Sequence, residues 1–89
     1  MRAYGSGSLM PRYFFDVYDG DKCTPDDTGL EMEDCDAAQR AAVKALPEVA
    51  RDVLPDGTQR DFVIEVKDEA RNPVLRARLS LTVQRILDV

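Results

Sequence analysis

Residues 75–84 alternate without a break: Leu75, Ala77, Leu79, Leu81 and Val83 against Arg76, Arg78, Ser80, Thr82 and Gln84. Successive side chains on a strand point to opposite faces, so this run predicts a long strand with one buried face and one wet face. An antiparallel sheet covered on a single side produces that pattern, whereas a parallel sheet is buried on both. The chain has 89 residues, and a domain of this size buries only about 60% of the surface its unfolded chain exposes. One helix layer on one sheet is therefore the largest core it can build.

The other elements fit that frame. Phe62, Ile64 and Val66 alternate with Val63, Glu65 and Lys67, and the polar residues 68–73 form a turn into the last strand. Near the start, Arg12-Tyr13-Phe14-Phe15-Asp16-Val17-Tyr18 is aromatic and β-branched and stops at Asp19-Gly20-Asp21, where Asp-Gly supplies the positive φ of a tight hairpin. Tyr13, Phe15 and Val17 share the more apolar face, which should turn to the core; Phe14, Asp16 and Tyr18 share the other. Residues 22–32 read as one irregular second strand. Cys23 and Thr24 pair back onto the first strand, Pro25 interrupts, and Leu30 and Met32 resume after Gly29.

Asp34 or Asp36 then caps a helix running to about Leu54, since an aspartate there accepts the free N–H groups and suits the positive end of the helix dipole. Its core side is Ala38, Ala41, Ala42, Ala45, Leu46, Val49 and Val53, and Gln39, Arg40, Lys44, Glu48 and Arg51 face away. Pro47 lacks an N–H for the Val43 carbonyl and crowds it, which predicts a kink or a break between residues 43 and 47. Pro55 and Gly57 end the helix. The expected fold is α+β: ββαββ, a four-stranded antiparallel sheet with one kinked helix packed on one face. Residues 1–9 read as a flexible Gly/Ser-rich leader, with Met10 a candidate start, and residues 10–89 as a single domain.

Composition narrows the function. Apolar residues make up 44% and charged residues 33%, as in an ordinary globular domain. No apolar run approaches the roughly 20 residues that cross a bilayer, and residues 1–9 lack the apolar stretch of a secretory signal. A cytoplasmic setting is the default, in which Cys23 and Cys35 stay unpaired. The chain has no histidine, the commonest general base and a leading metal ligand. Its net charge of −5 argues against strong non-specific binding to nucleic acid, which depends on neutralising phosphates. The charge is uneven: residues 16–36 hold nine acids against one base, and residues 60–85 hold six bases against four acids.

Met-Pro-Arg-Tyr-Phe-Phe-Asp-Val at residues 10–17, the Asp19-Gly20 turn, the acidic Gly29-Leu30-Glu31 segment, the Ala-rich helix, and Asp61-Phe62 leading into a Pro73-Val74-Leu75 hairpin resemble a family of small proteins of unknown function found in rhizobia and other alphaproteobacteria. The resemblance spans residues 10 to about 83 and implies a cytoplasmic alphaproteobacterial origin. The sequence departs from that family's pattern at Pro47, where a helix-compatible residue is expected, and at Tyr18, where histidine is expected. The family carries no agreed activity, so no functional residue transfers.

Three groups of residues could carry chemistry. Asp16, Asp19 and Asp21, with Asp26, Asp27 and Glu31 behind them, are hard oxygen donors of the kind Ca²⁺ or Mg²⁺ takes. Counted from Asp19, however, the sixth and twelfth positions are Thr24 and Leu30, where a calcium loop needs Gly and Glu. A solvated acidic loop that also deters edge-to-edge pairing is the plainer reading. On the wet sheet face, Phe14 and Tyr18 share space with Arg76 and Arg78. Aromatics and arginines on an open sheet suit single-stranded nucleic acid, but Asp16 and Glu65 would repel phosphate, and such a patch more often marks a protein contact. Cys35 at a helix start has its thiol acidity opposed by Asp34 and Asp36 and lacks a catalytic partner.

No nucleophile elbow and no phosphate-cradling glycine loop is present. The expected function is a non-catalytic interaction or regulatory module without a cofactor. It would bind a protein partner or a second copy of itself through the open sheet face or an edge strand, with Phe14, Tyr18, Arg76 and Arg78 as contacts. Weak binding of single-stranded nucleic acid is the alternative, and metal-dependent activity at the acidic cluster is third.

Overall fold

The structure, a computed structural model, describes residues 10–53 and 59–87. The expected leader, residues 1–9, and the helix stop at residues 54–57 lie outside the described residues.

The chain runs β1 (Arg12–Asp19), β2 (Lys22–Thr24), β3 (Leu30–Glu31), α1 (Cys35–Val53), β4 (Gln59–Lys67) and β5 (Pro73–Thr82). All strand pairs are antiparallel. The order across the sheet is β2-β1-β4-β5, with β3 also pairing β1. Among the described residues the fold is α+β with one helix, as expected, but the sheet has five strands rather than four. Residues 22–32 do not make one strand: β2 pairs residues 17–19 of β1 and β3 pairs residues 12–13. Pro25 has no N–H to contribute to a ladder, and Gly29, at φ 74°, turns the chain back toward β1. At the hairpin, Asp19 pairs with Lys22, which leaves Gly20 at φ 60°, the backbone sign that primed hairpin turns need at their first central residue.

The helix begins where its cap predicts. The Ala37 N–H donates to Asp34 Oδ1 at 2.9 Å. Ala38, Ala42, Leu46 and Ala50 are buried at every fourth position, a row of mostly methyl groups that lets α1 lie close on β4 and β5. Pro47 sits inside the helix without dividing it. Its side faces solvent, where water can serve the orphaned Val43 carbonyl, and the buried neighbours Leu46 and Ala50 hold the helix on either side of it. The core joins this row to Tyr13, Phe62, Ile64 and Val66, with Leu75 and Ala77 packed against it.

Because α1 covers β4 and β5, the core-facing side chains of β1 are less enclosed. Phe15 and Val17 are only half-buried and line an apolar groove of about 230 Å³ beside Ala45 and Val49. Among the described residues no helix is long and apolar enough to cross a membrane.

Candidate interaction surface

Strand register decides which side chains meet on the face away from α1. Asp16 lies opposite Glu65 and Tyr18 opposite Val63, while Glu65 lies opposite Arg76 and Val63 opposite Arg78. The predicted contacts Phe14, Tyr18, Arg76 and Arg78 therefore do share one face. A direct pairing of two carboxylates, Asp16 and Glu65, would be repulsive on its own, so cations are set around them. Lys67 Nζ lies 2.9 Å from Asp16 Oδ2 and 3.9 Å from Glu65 Oε1. Arg76 hydrogen-bonds Glu65 Oε2, and Arg78 Nη1 is 3.9 Å from Asp61 Oδ2.

This lattice covers its own acids: Asp16 is 4% and Glu65 8% exposed. Burial of Asp16 favours its neutral form, but the Asp26 N–H and the Lys67 ammonium outweigh it and hold the carboxyl below its ordinary value. Lys67 is raised in turn by Asp16, and Arg76 by Glu65. The Tyr18 phenol is pushed up, first by its hydrogen bond to Cys23. Tyr18, Val63, Glu65 and Arg76 line a shallow depression of about 310 Å³.

Phe14 is on this face but is not open to a partner, which corrects the expectation of an exposed aromatic pair. It is 8% exposed, with the Arg71 guanidinium carbon 3.8 Å from its ring centroid. The turn aims that arginine. Asp68 Oδ1 accepts from the Ala70 and Asn72 N–H groups at 2.9 and 3.0 Å, the Arg71 N–H donates to the Asp68 carbonyl, and Arg71 takes φ 67°. That conformation costs a non-glycine residue about 1–2 kcal/mol. The cation over the ring and a hydrogen bond from Arg71 Nη1 to the Asp26 carbonyl at 3.3 Å offset part of it.

Asp26 closes the gap between β2 and β3. Its Oδ2 accepts from the Phe15 N–H at 3.1 Å, and its Oδ1 from Thr28 and Gly29 N–H at 3.0 Å each. One carboxylate thus serves β1 where no strand does. Burial would raise its pKa, but the Gly29, Phe15 and Thr28 amides, with Arg71, bring it below the ordinary value. Of the weak metal candidates, Asp16 is held by Lys67, and Asp19 accepts from Arg60 Nε and Nη2 at 2.9 and 3.1 Å. Asp21 is exposed. Among the described residues no three acids or cysteines are grouped to hold a metal ion.

Residues 12–80 match the model of a family described as a domain of unknown function, DUF6894. The chain belongs to this family. The matched span takes in α1 and the sheet except the last two residues of β5. No curated protein and no solved structure matches the chain.

In this DUF6894 domain the sheet also has a bare side. Nine of the ten residues of β5 have a partner on β4, and among the described strands β5 has no second neighbour. Its core-facing row is covered by the helix only in part: Leu75 and Ala77 pack on the core, while Leu79 is 38% exposed and Val83, just past the end of the strand, 51%. Sequence reasoning took Asp26 only as one acid of the cluster and gave Arg71 and Lys67 no role at the site. Asp26 followed three residues on by Gly29 is an Asx-turn signature and could have been read; the positions of Arg71 and Lys67 depend on register and left no local signal.

Proposed function

We propose that this domain is a non-catalytic interaction module whose binding element is the free edge of β5, flanked on the outer face by Tyr18, Arg76 and Arg78. A strand edge binds by offering unpaired N–H and C=O groups to another strand, with alternate side chains giving specificity. The observation that carries the reading is β5 itself: ten residues with one hydrogen-bonded neighbour among the described strands and an apolar row that runs out from under the helix. A cytoplasmic setting suits Cys23 and Cys35, both exposed free thiols that a reducing compartment keeps reduced.

Single-stranded nucleic acid is the weaker reading. Asp16, Glu65 and Asp61 alternate with Lys67, Arg76 and Arg78 on the outer face, which leaves little positive field to track a phosphate backbone, and Phe14 is covered. Affinity falling steeply with salt would be its signature.

Leu79→Lys tests the proposal, because Leu79 is already partly exposed and a lysine there guards an edge. The tagged protein should capture a partner, or untagged copies of itself, that the variant loses while keeping its circular dichroism spectrum. Equal capture by both, or by neither, would overturn the reading.

A further inference from the structure

Resting on the edge-strand reading, we infer that the occupant of the β5 edge is a second copy of this chain. The two β5 strands pair antiparallel about a two-fold axis at Leu79, so that the sheet continues across the pair with both helices on one face.

Charge placement fixes the register that such a self-pairing takes. Protection is concentrated at the start of β5: Pro73 opens the strand, the β4–β5 register shifts beside it at Val66/Lys67, and Arg76 and Arg78 follow. Proline, irregularity and charge are the usual means of keeping an edge unpaired. From Leu79 to Thr82 none of these occurs.

A two-fold pairing about Ala77 would set Arg76 against the copy's Arg78, and one about Arg78 would set that guanidinium against itself; like charges directly opposite are destabilising. An axis at Leu79 instead sets Arg78 against Ser80 and Arg76 against Thr82, whose hydroxyls can accept from the guanidinium. The two Arg78 side chains then lie diagonally, each beside its own Asp61. Axes further along also separate the arginines but shorten the overlap within β5. The Leu79 axis is therefore the longest pairing that avoids facing arginines.

On the other face the same axis sets Leu79 against Leu79 and Ala77 against Leu81. The apolar row that α1 leaves uncovered then continues into the copy. Such an interface is self-complementary, as a two-fold dimer requires. One pair of strands buries less than a standard interface of about 1,600 Å², so the dimer dissociates on dilution.

The test uses the full chain with Cys23→Ser and Cys35→Ser as background. Leu79→Cys places two thiols on the axis, where facing residues of paired strands meet disulfide geometry. Ala77→Cys places them several residues out of register. Mild oxidation should give a disulfide dimer as the main product for Leu79→Cys and only a trace for Ala77→Cys. Sedimentation of the unsubstituted chain should show its mass doubling as concentration rises.

A monomer at every concentration, or equal cross-linking at both positions, overturns the inference. If the chain stays monomeric while Leu79→Lys still abolishes capture of a different protein, self-pairing fails and the interaction reading stands. If Leu79→Lys alters neither capture nor association, both fail.

Discussion

On one side of the sheet, β1 meets two short strands, three residues of β2 and two of β3, and the Asp26 carboxylate fills the space between them. On the other, β5 runs for ten residues with Leu79 exposed on its core-facing row and Val83 exposed just past its end. Both edges begin with the same problem, a row of backbone groups that must find partners. The first is solved within the chain by two short strands and by a side chain that accepts the Phe15 N–H between them while holding its own loop through Thr28 and Gly29. The second carries charge and proline at one end and, among the described residues, has no strand beside it at the other. An edge closed by its own residues contributes to stability; an edge left open is free to contribute to association.

The comparison would be sharpened most by glycine substitutions on the closed side. A Cβ on Gly29 would come within 2.9 Å of Arg12 Cγ, Phe14 Cε2 and the Tyr13 carbonyl oxygen, at φ +74°. Gly29→Ala should therefore destabilise by about 2–4 kcal/mol, from backbone strain together with overpacking. Gly20, at φ +60° with nothing within 4 Å, should lose only the strain, about 1–2 kcal/mol. Urea denaturation of the two variants measures the difference, and equal costs would mean that the Gly29 turn is not packed against β1.

Asp26→Ala comes next. It leaves the Phe15 and Gly29 N–H groups part-buried without their acceptor, at roughly 2–3 kcal/mol by the cost of unsatisfied donors. Amide exchange at Phe15, Thr28 and Gly29 should speed up while the β4–β5 ladder stays protected. Uniform acceleration would show that the carboxylate is not a local closure.

Acid should give the smallest effect. Asp16, Asp19 and Asp26 all have folded-state pKa values below their ordinary 3.8. Each depressed carboxyl contributes stability that is complete above the unfolded value and is lost as pH falls from there through the folded value. All three lie on or beside β1. Below about pH 4, exchange should therefore rise first at β1, β2 and the 25–29 loop. If β5 opens at the same pH, the two edges are not independent.

Much of the fold was legible in the sequence because it follows from local periodicity. The alternation of residues 75–84 and of Phe62, Ile64 and Val66 marked two strands, Asp34 or Asp36 marked the helix start, with the structure choosing Asp34, and Asp19-Gly20 marked a hairpin. The split at Pro25 was half visible, since a proline and a glycine bracket the gap, but not its closure by Asp26. The predicted surface residues fell on one face because alternation fixes faces. Their exposure did not follow, because Phe14 is covered by an arginine 57 positions away in the chain.

The sequence by itself determined β1, β4 and β5 with the two faces of each, the helix between β1 and β4, and the lack of histidine, all of which depend on neighbours a few residues apart and on composition. Only the tertiary structure decided that Asp16 and Glu65 lie buried beneath Lys67 and Arg76, that Arg71 covers Phe14, and that β5 is the last of the described strands across the sheet. Each of these depends on which strand lies beside which and in what register, and that is set by long-range packing of the helix and sheet rather than by any local pattern of residues.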